Sequence, residues 1–510
     1  MKKNIITLFV ILALLLSACG NPTATPGASL QTSLPSVPST ETSCEHTDHN
    51  DDGNCDNCAL SVLVALDFYS INDLHGKLAD GDSHIGVDEL TTYWKQKQET
   101  ENVILLSAGD MWQGSAESNM TNGMILTDWM NELGFAAMTL GNHEYDWGED
   151  AIIANAEIAN FPFLAINIYD RDTDQRVSYC DASVLIDVAG IQVGIIGAMG
   201  DCYSSISSDK TTDIYFKTGS QLTALVKAES QQLREAGADL IIYVLHDGGS
   251  GISGSTVSSS KISSYYDIAL SDGYVDLVFE GHSHQGYLVR DDHGVYHMQH
   301  RGDNAGGISH AEITINSVTG SYAITQTDLV TTGSYANLAD DPIVDALLRK
   351  YDSLISTANQ IVGYNRAYRS SNWLCDKVAE LYYTLGREVW GDTYTITLGG
   401  GFLAARSPYD LEKGDVTYGQ LQSLFPFDND IVLCSIKGSD LLSKFINSSN
   451  SKYHISGSWG QIDRNATYYV VVDTYTATYA PNRLTIVEEY TPGVYARDLL
   501  ADFIAAGGLK

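Results

Sequence analysis

Basic residues are scarce: the 510-residue chain has 29 Lys and Arg against 64 Asp and Glu, a formal net charge of -35. So acidic a surface favours solubility and opposes docking on phosphate backbones or anionic membranes, which argues against any nucleic-acid polymer as partner. A small anion stays admissible where bound metal reverses the sign locally. Long hydrophobic runs are lacking too. Residues 5–16 form an apolar stretch of 12, short of what spans a bilayer. Cysteine is sparse, with eight at 19, 44, 55, 58, 180, 202, 375 and 434, and their spacing fixes no framework. What is present is ordinary for a globular protein, 44% hydrophobic and 18% charged, and long enough for two or three domains.

The chain opens on Lys2 and Lys3, then the apolar stretch, then Leu16-Ser17-Ala18-Cys19, which reads as a secretory leader over 1–18. The ending resembles the lipobox of bacterial lipoproteins. That resemblance implies lipidation at Cys19 and a lipid-anchored protein on the extracellular face of the bacterial cell membrane. Residues 19–43, mostly Ser, Thr and Pro, read as a tether. Residues 44–60 are dense in ligands. Cys44, His46, Cys55 and Cys58 suit a tetrahedral zinc ion, while Asp48, Asn50, Asp52 and Gly53 match the first half of a calcium loop whose closing glutamate is absent. A small disulfide knot is the competing reading. Three thiolates on a metal would leave two pairs, Cys180 with Cys202 and Cys375 with Cys434, or buried free thiols.

From Val62 to about Val330, apolar runs alternate with amphipathic stretches such as VDELTTYWKQKQ, the order of an α/β domain with a largely buried sheet. Five of the runs end on polar clusters: Asp73-Leu-His75, Gly109-Asp110, Asn142-His143 with Asp146 one turn on, His246, and His282-Ser-His284. Ligands gather at the carboxyl ends of strands in such sheets. Asp73, His75, Asp110, Asn142, His246, His282 and His284 supply seven oxygen and nitrogen donors, enough for two divalent ions if a carboxylate bridges. The mixed set suits Zn, Mn, Fe or Co.

The ordered series NDLHG, GD, GNHE, H and GHSH resembles the calcineurin-like metallophosphoesterases, and GNHEYD together with the chain beyond it resembles the 5'-nucleotidases. The resemblance implies an N-terminal sandwich of two sheets flanked by helices (61–335), a linker helix (336–360) and an α+β C-terminal substrate domain (361–510). It implies one metal on Asp73, His75 and His284, another on Asn142, His246 and His282, Asp110 bridging, and His143 with Asp146 as the catalytic dyad. In the C-terminal part, Leu398-Gly-Gly400-Gly401-Phe402 and Phe425-Pro-Phe427 match substrate-binding stretches. Gly400 and Gly401 are expected to approach the ligand and Phe427 to stack on a base. The family's asparagine before and arginine after the glycine triplet are missing, with Leu398 and Leu403 in their places. Arg406 is the expected replacement and Arg369 a weaker one; Tyr479, or Tyr475, is expected opposite Phe427.

The resulting expectation is an extracellular two-metal hydrolase of nucleoside 5'-monophosphates. A 2',3'-cyclic-nucleotide phosphodiesterase, a nucleotide-sugar hydrolase and a general small-ester phosphatase stay open as enzyme alternatives. A surface binding lipoprotein is the non-enzyme alternative, which the intact His143 and Asp146 argue against.

Overall fold

The computed structural model describes residues 45–78, 86–252, 266–302, 307–406, 410–479, 482 and 484–509. The leader, the tether, Cys19 and Cys44 lie outside the described residues.

Strand Leu240–His246 shows why the apolar runs are continuous. Leu240, Ile242 and Val244 enter the core between two sheets, whereas Ile241, Tyr243 and Leu245 face outward onto Leu222, Val226 and Leu233 of helix Ser220–Glu235. Side chains alternate faces along a strand, so one covered on both sides has no polar register. The first sheet runs in the order Tyr322–Val330, Ile308–Asn316, Leu63–Ile71, Val103–Ser107, Ala137–Thr139, Phe163–Leu164, its last four strands parallel. The second runs Tyr287–Arg290, Tyr296–Gln299, Leu277–Glu280, Leu240–His246, Ile191–Met199, Ser183–Val188, its middle four parallel. Leu66, Phe68, Ile104 and Leu106 of one pack on Ile195, Ile242, Val244 and Phe279 of the other. Helices Asp88–Gln98 and Met124–Leu133 cover the first sheet's outer face through Trp94, Leu126 and Trp129. This is the expected sandwich.

Helix Pro342–Lys350 starts with Asp341 accepting from the Ile343 amide and proline in the first turn, a favourable opening. Tyr351 interrupts the single helix read from the sequence, and a shorter one, Asp352–Ile355, comes after it. The C-terminal sheet has the order Tyr453–Gly457, Ile396–Phe402, Thr467–Asp473, Ile431–Lys437, Thr485–Glu489. Helix Ser371–Val389 packs Leu374, Val378 and Tyr382 against Leu433 and Val471 on one face, and Leu398, Val432 and Val470 core the other.

Three features left open by the sequence have a definite setting in the structure. The cysteine pairs do not form: Cys180 Sγ donates to the Ala165 carbonyl and Cys202 Sγ to that of His246, while Cys375 and Cys434 lie in separate cores on opposite faces of the C-terminal sheet. The half calcium loop is closed on itself. Asp48, buried, accepts from the amides of Asp52 and Gly53 and from Asn316 Nδ2, and Asn50 and Asn54 bond Asp52. Gly400 and Gly401, expected to approach the ligand, are closely packed in strand Ile396–Phe402. A Cβ on Gly400 (φ +117°) would lie 2.1 Å from the His454 carbonyl oxygen, and one on Gly401 would lie 2.5 Å from Thr476 Cγ2. Gly400→Ala is therefore expected to cost about 2–4 kcal/mol of stability, read as a lower melting temperature with unchanged KM in the protein that folds. A raised KM at an unchanged melting temperature would restore the ligand role.

Candidate active site

The strand-end residues meet. Asp73 and Asp110 come after Leu63–Ile71 and Val103–Ser107, Asn142 after Ala137–Thr139, His246 ends its strand, and His282 and His284 come after Leu277–Glu280. Asp73, His75, Asp110, His282 and His284 all adopt left-handed backbone, with φ of 51°, 51°, 55°, 70° and 51°. Such conformations persist only where the surroundings impose them, and they concentrate at functional sites. Gly109 and Gly141 make the convergence possible: a Cβ on Gly141 would sit 2.3 Å from Asp110 Oδ1, and one on Gly109 2.6 Å from His246 Nδ1.

Ligand atoms of Asp73, His75 and His284 lie within 4.8 Å of one another, as do those of Asp73, Asp110 and His246. Asn142 Oδ1 is 3.4 Å from His246 Nε2, and the His246 and His282 ring centres are 5.5 Å apart. The chemistry of these donors fits metal. His75 Nδ1 bonds the Gln113 carbonyl at 2.9 Å and His246 Nδ1 the Ala108 carbonyl at 2.5 Å. A carbonyl only accepts, so each Nδ1 carries the proton and each Nε2 turns a lone pair into the cluster. There His75 Nε2 faces His284 Nε2 at 3.2 Å, with Asp73 Oδ1 3.3 Å from the latter. Burial pushes His75 down to about 3 and His282 to about 4, keeping both neutral. Burial opposes charge on His246 while Asp110 and Asp73 favour it, so positive charge is called for at its Nε2, which a cation can supply in place of a proton.

Residues Asn142–Tyr145 form one 3-10 turn, which puts His143 and Asp146 on one side. His143 Nδ1 is 2.8 Å from Asp146 Oδ2, and the His143 amide donates to Asp110 Oδ1 at 2.8 Å. Burial opposes protonation of His143, yet Asp146 and then Asp110 raise it to about 9.

Glu144 is the residue that sequence reading passed over, although it stands inside the GNHE motif. Fully buried, its carboxylate accepts from the amides of Asp110 (2.9 Å), Met111 (2.8 Å), Trp112 (3.4 Å) and Gly141 (2.7 Å), tying the turn after one strand to the turn after the next. A carboxylate immediately after the candidate ligands was the available signal. Asn72 was missed likewise; its Nδ2 donates to Asp73 Oδ2 at 2.5 Å.

A cavity of about 330 Å³ opens beside the cluster, with Asp110, Asn142, His143, Asp146, His282 and His284 on one side. Phe402, Leu403, Arg406, Phe425, Phe427, Asn429, Lys452 and Tyr475 of the C-terminal part line the other. Phe427 is only partly buried, its ring centre 6.0 Å from that of His143, with the Arg406 guanidinium 5.1 Å above it. Arg369 stacks instead on Trp373 and is not among the lining residues. Of the two tyrosines expected opposite Phe427, Tyr475 lines the cavity, together with Tyr382, and Tyr479 is not among the lining residues, its ring stacked on that of Tyr475 at 5.6 Å.

Residues 67–286 match the calcineurin-like phosphoesterase family, and residues 361–461 match the 5'-nucleotidase C-terminal domain. The chain is 24% identical over 473 residues to the endonuclease YhcR of Bacillus subtilis, covering 81% of this chain and 37% of that one. It is 30% identical over 205 residues to a 5'-nucleotidase of Vibrio vulnificus, covering 39% of this chain and 35% of that one. The fold is similar to that of a 5'-nucleotidase precursor from Thermus thermophilus, with a TM-score of 0.64 at 19% identity over 87% of this chain and 96% of that one. The matched region thus spans little more than a third of either sequence relative. The chain is a calcineurin-like phosphoesterase, a class of metal-dependent phosphoester hydrolases. Within that class it belongs to the 5'-nucleotidase family, whose C-terminal domain it carries.

Glu144→Gln replaces one acceptor oxygen by an NH2 aimed at backbone amides. It should cost about 1–3 kcal/mol or more and loosen both turns. The expected readout is a lower melting temperature with reduced metal content and reduced activity; a variant matching the parent in all three would remove the anchoring role.

Proposed function

We propose that this chain hydrolyses nucleoside 5'-monophosphates to nucleoside and phosphate, as a lipid-anchored enzyme outside the cell. The observation that carries the reading is the single cavity shared by the buried histidine–carboxylate cluster and an aromatic and guanidinium wall. Asp73, His75 and His284 would hold one divalent ion and Asn142, His246 and His282 the other, with Asp110 shared, supplying Lewis acidity and positive charge for a phosphoryl group.

The residues around the cluster do the rest. His143, protonated and oriented by Asp146, presents Nε2 to the cavity, where it can donate to a phosphoryl oxygen as charge builds or to the departing ester oxygen. Phe427 offers a flat face next to that imidazole, and Tyr475 another on the same wall, for an aromatic base. Arg406 above Phe427 supplies donors for ribose or base. Lys210 and Lys452 also line the cavity of this acidic protein, which favours, as a second reading, esters carrying a further phosphate such as nucleotide sugars. Product analysis separates these readings: nucleoside and phosphate from AMP, an adenosine monophosphate from 2',3'-cyclic AMP, UMP and glucose 1-phosphate from UDP-glucose, and phosphate from p-nitrophenyl phosphate.

Two substitutions test the division of labour. His143→Ala should lower kcat by roughly 10²- to 10⁴-fold while metal content stays at the parent level; metal lost together with activity would make His143 a ligand. Phe427→Ala removes a stacking contact worth about 1–3 kcal/mol, or roughly 5- to 150-fold in kcat/KM for AMP, and should leave p-nitrophenyl phosphate nearly untouched. Equal losses on both substrates in a destabilised protein would assign Phe427 to packing.

A further inference from the structure

We propose that His46, Cys55 and Cys58 bind a thiophilic divalent ion of the zinc class, at a site separate from the histidine–carboxylate cluster. His46 Nδ1 lies 3.6 Å from Cys58 Sγ, and the ligand atoms of all three residues lie within 4.8 Å of one another. Atoms bound tetrahedrally at zinc distances of about 2.0–2.3 Å stand roughly 3.3–3.8 Å apart, so little adjustment is required.

The backbone is arranged for thiolates. Cys55 and Cys58 close a tight turn in which the amides of Cys58 and Ala59 both donate to the Cys55 carbonyl, at 3.3 and 2.7 Å, and Ala59 takes a left-handed φ of 57°. The main chain at Thr47 and Asn57 hydrogen-bonds the Cys55 sulfur. Donors aimed at sulfur favour its anionic form, the form that ligates metal. The catalytic reading uses none of these residues.

The position gives the ion a task. Asp48 bonds Asn316, and Asp51 Oδ1 accepts from Thr319 and Ser321 at 2.8 and 2.6 Å, fastening the segment to the hairpin that joins strands Ile308–Asn316 and Tyr322–Val330. The segment has little apolar side chain to bury, with Cys55 and Val62 its buried hydrophobics. Small units of this kind depend on a staple. The ion holds the turn, the two aspartates hold the turn to the sheet, and the start of the phosphoesterase domain is fixed there.

Cobalt(II) added to the reduced full-length chain reads the site directly, because thiolate ligation gives a near-ultraviolet charge-transfer band that oxygen and nitrogen ligands do not. Cys202 is the thiol beside the catalytic cluster, so its substitution serves as the control. The band is expected in the parent and in Cys202→Ser, weakened in His46→Ala, and absent from Cys55→Ser/Cys58→Ser. The double variant should also lose one equivalent of zinc per chain while keeping its phosphatase activity, which shows that it folds. No band in the reduced parent, or a band surviving in the double variant, overturns the proposal. So do Cys55 and Cys58 found blocked before reduction in a chain isolated without zinc at this position, which would make them a disulfide. The cobalt spectrum does not depend on the nucleotidase reading, so the two can fail separately.

Discussion

Two carboxylates withheld from water set the terms for the rest of this molecule. Asp73 and Asp110 are buried where two sheets converge, and charges so placed need compensation close at hand. Compensation comes in layers: imidazoles with lone pairs turned inward, amides such as that of His282 donating to Asp73, and a demand for cations that the neutral His75 and His282 cannot meet themselves. The left-handed backbone at five of these positions and the glycines at 109 and 141 answer the same requirement, since they let five strand ends close on so small a volume.

The sandwich and the cluster were legible in the sequence because both depend on short-range rules. Unbroken apolar runs such as Leu240–Leu245 signal a strand buried on both faces, and polar residues directly after such runs signal the rim where ligands collect. Glu144 was not legible as an anchor because three of its four partners are backbone amides of residues 110–112, more than thirty positions away, and amides leave no trace in composition. The glycine triplet is ambiguous for the opposite reason. Glycine marks close approach, but whether a ligand or a neighbouring carbonyl approaches depends on tertiary packing, and at Gly400 the neighbour is His454.

The cavity wall was partly legible. Arg406, in the loop after strand Ile396–Phe402, and Phe427, just past helix Tyr418–Leu424, both line the cavity, whereas Tyr475 and Tyr479 share one short helical stretch and only packing decides which faces inward. In a chain with only 29 basic residues, three of them, Lys210, Arg406 and Lys452, line this one opening, where they face Asp110, Asp146 and Asp473.

The two walls of the cavity are rooted in different hydrophobic cores, one between the sheets of the phosphoesterase domain and the other around the C-terminal sheet. Inheritance can therefore act on them separately. A lineage can exchange Tyr475, Arg406 or the loop around them, and so reshape one wall, without disturbing a side chain of the histidine–carboxylate cluster. Arg406, over the ring of Phe427, belongs wholly to the second of these walls.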